Sequence, residues 1–287
     1  SKFFSMVVNL AAALNNNRMA PRLWPGFLPE AMSLASPLTD AMYNRVFTLE
    51  PGVVDWLNSN ADQAWPRIDW QGPILNPVVG LIDEPEKARQ EPHSVNLNRS
   101  HLVILGDAGS GKSTLLRTIV TSLAATYSPR DVHVYILDLG GRALRSLQEL
   151  PHVGAVIYAD EEVFEERLQR LIELLTQVTE ERQRRLSEDG VNNLAAFNAH
   201  YPDQALPAII VIIDNFAELQ ENHEPLVETA LMPLIRRSLN AGITFVVSCN
   251  VPGNMSSKLY GLFTERLTFQ QSNTDRYIDI VGRGAVG

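Results

Sequence analysis

Cysteine is almost missing: Cys249, inside the apolar run "ITFVVSCN", is the only one in 287 residues. That excludes an intrachain disulfide framework, and a reducing compartment fits best. The thiol reads as a small buried strand residue. Long apolar runs are missing too, since no stretch reaches the roughly 18 residues that cross a bilayer. The apolar "SMVVNLAAALNNN" near the start is short and lacks a cleavage-site context, so it reads as the end of a helix, not a leader. Positive charge is in deficit, with 24 Lys and Arg against 33 Asp and Glu and a formal net charge of -9. The broad basic field that drives non-specific nucleic-acid binding is therefore lacking. There is no internal repeat and no low-complexity tract. The first residue is not Met and the chain stops abruptly at "VGRGAVG", which suggests a fragment of something longer.

What is present is the composition of an ordinary globular protein, 45% hydrophobic and 20% charged, long enough for one large α/β core and a smaller appendage. Two textures divide it. Up to about residue 100 the chain is rich in Pro, Trp and Asn, as in "APRLWPGFLPEAMSLASPL" and "QAWPRIDWQGPILNPVVGLIDEP". Such Pro density breaks helices and predicts an irregular segment with short strands, wrapped over a core. "VVGLIDEPEKARQEPHSVNLN" predicts two short edge strands around a charged turn. From His101 onward, apolar strands alternate with helical patterns, the signature of a parallel sheet with crossover helices. The predicted strands are "HLVILG", "VHVYILDL", "GAVIYA", "AIIVIID" and "ITFVVSCN", with "RLTFQQ" a candidate sixth. In the long helix from Asp160 to Gly190, Phe164, Leu168, Leu171, Leu175 and Val178 recur at helical spacing. Asp160 is placed to cap that helix and Gly190 to end it. The opposite face, dense in Glu, Arg and Gln, reads as solvated, with docking of a partner as the alternative.

"VILGDAGSGKSTLLRTIV" holds G-x-x-x-x-G-K-S from Gly106 to Ser113, with a strand running into it and a helix leaving it. Gly106, Gly109 and Gly111 permit backbone angles that other residues resist, so N–H groups of the loop Gly106-Asp107-Ala108-Gly109-Ser110-Gly111 can turn inward around β- and γ-phosphate oxygens. The helix start adds partial positive charge. Lys112 is positioned for the β- and γ-phosphates, the Ser113 hydroxyl for Mg²⁺, and Thr114 for the neighbourhood of the α-phosphate. A nucleoside triphosphate such as ATP is the implied ligand.

Such a loop needs a second strand that ends on an acid for the metal. "AIIVIID" supplies it, with Asp214 as the metal-side carboxylate. The next residue is Asn215, whose amide can orient water but cannot accept its proton. Glu218, one turn further on, either reaches in or caps and solvates. Asn250, ending "FVVSCN", either senses the γ-phosphate and holds water or forms a turn. Asp138, ending "VYILD", has the same pair of readings. Arginines that could serve a neighbouring subunit's site are Arg236, Arg237, Arg266 and Arg276, of which Arg266 is singled out.

The stretches "LDLGGRALRSLQELPHVGAVIYADEE", "RQRRLSEDGVNNLAAFNAH", "IIVIIDNFAEL" and "NAGITFVVSCNVP" follow the loop in the order found in FtsK/SpoIIIE-type motor ATPases. They resemble the EccC/EssC ATPases of type VII secretion more closely, and "APRLWPGFLP" followed by "VVGLIDEPEKARQEPHSVNLNRSHLVILGDAGSGKST" resembles the linker and start of one of their later ATPase domains. The resemblance runs from about Pro21 to Gly282. It implies an α/β, RecA-like P-loop domain with a central, mainly parallel sheet, at residues 76–287, behind a linker and accessory segment at residues 1–75. It implies ATP and Mg²⁺, a cytoplasmic location tethered to a bacterial inner membrane through parts outside this chain, other ATPase domains of the same chain or ring, and small helical WXG-type substrates. FtsK-like relatives carry Asp-Glu where Asp214-Asn215 stands, and later domains of the secretion ATPases are often degenerate. The alternatives are a DNA-translocating motor, disfavoured by the charge balance, and an ATP-bound recognition module that does not hydrolyse.

Overall fold

In "LVIL" and "AIIVIID" every residue is apolar up to the final acid, so neither face of these strands tolerates water. The computed structural model, which describes residues 2–14, 26–29, 31–35, 37–40, 45–58, 65, 68–72, 74–269, 271–272, 276–277 and 280, places both runs inside a six-stranded sheet. The chain runs α1 (Lys2–Leu14), β1 (Pro37–Asp40), β2 (Arg45–Thr48), α2 (Pro51–Asn58), β3 (Val78–Glu84), β4 (Arg89–Ser94), β5 (Leu102–Leu105) and α3 (Lys112–Thr126). It continues through β6 (Val132–Asp138), β7 (Val153–Tyr158), α4 (Phe164–Glu188), α5 (Leu194–His200), β8 (Ala208–Asp214), α6 (Phe216–Asn222) and α7 (Glu224–Leu226). A π-helical turn, Val227–Leu231, leads into α8 (Met232–Ser238), and β9 (Ile243–Cys249), α9 (Ser257–Tyr260) and β10 (Glu265–Thr268) follow.

The sheet order is β10-β5-β9-β8-β6-β7, and every neighbouring pair is parallel. "RLTFQQ" therefore does supply a sixth strand. The pleat divides the apolar residues between two cores. Val103, Leu105, Ile209, Val211 and Ile213 face one way, onto α4, α6 and α8. Leu102, Ile104, Ile210 and Ile212 face the other, onto α3. Each fully buried Leu or Ile contributes about 1.5–3 kcal/mol, so the doubly covered sheet carries most of the stability.

The early segment forms two small antiparallel sheets, β1-β2 and β3-β4, the latter turning through the charged Pro85–Lys87 segment as its sequence predicts. Side chains stitch this segment to α3. Ser122 donates to Glu50 at 3.0 Å, Val78 N–H donates to Ser122 at 3.1 Å, Leu75 N–H donates to Tyr127 at 2.8 Å, and Trp65 donates to the Ala124 carbonyl at 3.0 Å. Much of "APRLWPGFLP" and all of "VGRGAVG" lie outside the described residues. α1 exposes its apolar side chains, Phe3 at 75% and Leu14 at 77%. Among the described residues no helix is long and apolar enough to cross a membrane.

Asp160 does not cap α4. The chain first makes two turns, Glu161 N–H to Tyr158 O at 3.2 Å and Phe164 N–H to Glu161 O at 3.1 Å, and Asp160 pairs with Arg142 at 3.0 Å instead. Gly190 does end the helix: at φ 66 it lets its own N–H reach Ser187 O at 3.3 Å and Val191 N–H reach Leu186 O at 3.0 Å. The outer face of α4 is solvated and laced with ion pairs such as Arg184–Glu188.

Candidate nucleotide-binding site

β5 ends at Leu105 and α3 begins at Lys112, so the glycine-rich loop bridges a buried strand and a helix start. Gly109 (φ 77) and Gly111 (φ 107) hold the left-handed angles that the loop requires. Gly106 is fixed by space: a Cβ there would lie 2.5 Å from Ser110 Oγ and 2.8 Å from Phe269 Cβ. Lys112 Nζ donates to the carbonyls of Gly106 at 2.7 Å and Asp107 at 2.9 Å, and to Asn250 Oδ1 at 3.1 Å. Burial lowers the Lys112 pKa from the ordinary lysine value, while the charges of Asp214 and Asp107 oppose that shift. Inside the loop the buried Ser110 Oγ has no protein partner among the described residues. Ala108 is exposed at the rim, as is Thr114 on the first turn of α3.

The register of β6 with β8 sets Asp138 beside Asp214 at the sheet's carboxyl edge. Asp214 is 2% exposed, and the Ser113 hydroxyl donates to its Oδ2 at 2.7 Å. Ser248 Oγ donates to Asp214 Oδ1 and accepts the Asn215 N–H at 2.9 Å. Asn215 takes φ 62, ψ 58, a left-handed conformation that Asn tolerates better than most residues. Its side-chain amide points back to the Leu139 carbonyl at 3.4 Å. Gly140 leaves room for the acid, because a Cβ there would lie 2.9 Å from Asp214 Oδ2. A hydroxyl and a carboxylate in contact suit a hard cation whose remaining ligands are phosphate oxygens and water. No cluster of three His, Cys, Asp or Glu side chains exists among the described residues to hold a metal without such help.

A model of the FtsK/SpoIIIE family matches residues 57–253, well over half of the chain. The chain belongs to the FtsK/SpoIIIE family. The chain is 31% identical over 220 residues to the ESX secretion system protein EccC of Thermomonospora curvata, covering 72% of this chain and 16% of that protein. It therefore spans about a sixth of that curated relative's length. It is similar to EssC (ATPases 2 and 3) from Geobacillus thermodenitrificans, with a TM-score of 0.67 at 28% identity over 77% of this chain and 41% of that one. Thermomonospora curvata EccC (ATPases 2 and 3) in complex with a signal sequence peptide gives a TM-score of 0.65 at 29% identity, over 74% and 39% respectively. These homologues and structural neighbours are ATPase domains of type VII secretion motors, and nucleotide binding comes with the family.

In this FtsK/SpoIIIE domain β9 lies between the loop strand β5 and the acid strand β8, so its end touches both motifs. Asn250 engages Lys112, and its carbonyl accepts the Gly106 N–H at 3.3 Å. Ser248 engages Asp214. Sequence reasoning missed Ser248, although a lone hydroxyl in "FVVSC" was a usable signal once the strand order is known. Asp138 is a turn former: its carboxylate accepts the N–H groups of Gly140 at 3.3 Å and Leu144 at 2.8 Å, and burial raises its pKa. Glu218 stays outside the cluster, exposed and accepting from the Asn222 amide at 2.7 Å. Arg266 donates to the Phe263 carbonyl at 3.1 Å and lies over the Tyr260 ring at 4.3 Å, so it is engaged within its own chain. Arg236 and Arg237 are exposed on α8, which precedes the far end of β9. Arg276 pairs with loop residue Asp107 at 3.3 Å, a contact within the chain that no spacing rule predicts.

Proposed function

We propose that the chain binds ATP with Mg²⁺ and splits it slowly, as one ATPase domain of a type VII secretion-like protein-export motor. The contact between the Ser113 hydroxyl and the Asp214 carboxylate carries this reading, because it joins residues 101 positions apart into one oxygen-donor pair. Lys112 and the loop N–H groups would hold the β- and γ-phosphates, with Ser113 and Asp214 on the metal side. Mg²⁺, when bound, neutralises charge on those phosphate oxygens. Ser248 keeps Asp214 oriented. Asn215 can hold a water but cannot take its proton, and general-base help is worth about 10²–10⁴ in rate. Glu218 is hydrogen-bonded elsewhere, which supports slow turnover within the isolated chain and equally a module that holds ATP without hydrolysis.

By analogy with the relatives, the partners are neighbouring ATPase domains of a longer chain and small helical WXG-type export substrates, at the cytoplasmic side of a bacterial inner membrane. Residues 1–75 are then the accessory and linking part. The deciding experiment measures ATP turnover by the purified chain alone, with DNA, and with a helical WXG-type protein. Low basal turnover that DNA leaves unchanged supports the export reading, and DNA-dependent turnover overturns it. Lys112→Ala should weaken ATP binding by at least about ten-fold; unchanged affinity would overturn the assignment of the loop.

A further inference from the structure

After β10 the chain turns back across the glycine-rich loop. Phe269 N–H donates to the Leu105 carbonyl at 2.8 Å, which extends the ladder between β10 and the strand that feeds the loop. Phe269 backs both ends of that loop. Its Cβ crowds the Cβ position of Gly106 at 2.8 Å, and its ring comes within 3.6 Å of the Cβ position of Gly111. Two residues on, the buried Gln271 donates through its side-chain amide to the Asn250 carbonyl at 3.4 Å, and its N–H donates to the Tyr277 hydroxyl at 2.7 Å. Ile280 is buried in the core. Arg276, next to Tyr277 and between these anchors, is thereby brought to the loop, where its Nη1 lies 3.3 Å from Asp107 Oδ1.

Asp107 is the one acid in the stretch Gly106–Ser113. A carboxylate on a loop that gathers phosphate oxygens opposes them, because like charges closer than a Debye length of about 8–10 Å repel. Lys112 does not bond that carboxylate: its Nζ donates to the backbone carbonyls of Gly106 and Asp107 and to Asn250 Oδ1. Arg276 is the cation that meets it. The two side chains are 43% and 36% exposed, and an ion pair so open to water adds little to the stability of a fold. We propose that Arg276 is a positioning residue for the nucleotide of its own chain: it cancels the charge of Asp107, so that the loop receives a triphosphate without a competing anion. The proposal rests on the nucleotide-phosphate reading of that loop. It assigns Arg276 to the site in its own chain and not to a neighbour's.

The test is a charge-balance cycle. Arg276→Gln, Arg276→Lys, Asp107→Asn and the double variant Arg276→Gln/Asp107→Asn are each titrated calorimetrically with ATP and Mg²⁺, and their melting midpoints are read without nucleotide. Arg276→Gln should lower ATP affinity by about ten-fold or more, while its nucleotide-free midpoint stays within about 2 °C of the parent. Arg276→Lys keeps the charge and should stay within about three-fold of the parent. Asp107→Asn should match or exceed the parent. The double variant decides the matter: with no acid left to cancel, its affinity should return to within about three-fold of the parent. An Arg276→Gln chain that binds ATP as the parent does overturns the proposal. So does a double variant as weak as Arg276→Gln alone, which would make Arg276 a purely structural strut. If the parent chain itself binds no ATP, the loop reading fails, a separate result that removes the basis of this one.

Discussion

Asn215 sits in the left-handed region, at φ 62, and its N–H is held by Ser248. A longer acidic side chain there would carry a backbone cost of about 1–2 kcal/mol, so Asn215→Glu should lower the melting midpoint slightly. It should also raise ATP turnover by about ten- to hundred-fold, since a carboxylate can accept the proton that an amide cannot. Unchanged turnover in a folded variant would mean that position 215 does not govern the rate. The loop residues and Asp214 were legible in the sequence because strand, glycine spacing and final acid fall in one contiguous pattern. Ser248 and the pairing of Arg276 with Asp107 were not, because they depend on which strands become neighbours.

Among the elements, α4 shows where pattern reading works and where it stops. Phe164, Leu168, Leu171 and Leu175 are buried as their spacing predicts, and Val178 is half-buried. Arg182 is the departure. It continues the buried stripe, four residues after Val178 and seven after Leu175, where the pattern calls for an apolar side chain; it is 6% exposed and donates to the carbonyls of Ala241 at 2.9 Å and Pro207 at 2.8 Å. Burial pushes its pKa down to about 10. Charge composition cannot reveal that one arginine among many serves the backbone just before β8 and β9. Arg182→Met strands two carbonyls and should destabilise by about 3 kcal/mol, read from the urea midpoint. A loss below about 0.5 kcal/mol would mean that water replaces the guanidinium without cost. The Asp160 turn was missed for a related reason, because an acid before a helix pattern can pair with a distant arginine as readily as it can cap.

At the scale of the whole molecule, His101 links stability to pH. Its Nε2 lies 2.8 Å from the Ile235 carbonyl and its Nδ1 accepts the Phe245 N–H at 3.0 Å, an arrangement that only the neutral ring satisfies. Burial pushes its pKa down to about 4 from an ordinary 6.5. The folded chain therefore resists a proton that the unfolded chain accepts. The contribution is complete above pH 6.5 and is lost as pH falls toward 4. Its full size is about 3 kcal/mol, of which about 2 kcal/mol should disappear between pH 7 and pH 5. His133 and His152 are shifted the same way by burial, so the comparison is with His101→Gln, whose stability should decline less over that interval. An identical slope in urea midpoints would overturn the assignment. The strand order of the sheet also has a mechanical consequence. β9 is gripped near its start by Arg182 through Ala241, by Ser238 through Ile243 and by His101 through Phe245, and its last residues hold Asp214 and Lys112. An extended strand of seven residues, roughly 23 Å, can slide or tilt but cannot stretch. The contacts at its two ends tie the residues next to α4 and α8 to the surroundings of Asp214 and Lys112 through one strand, as a tie-rod would.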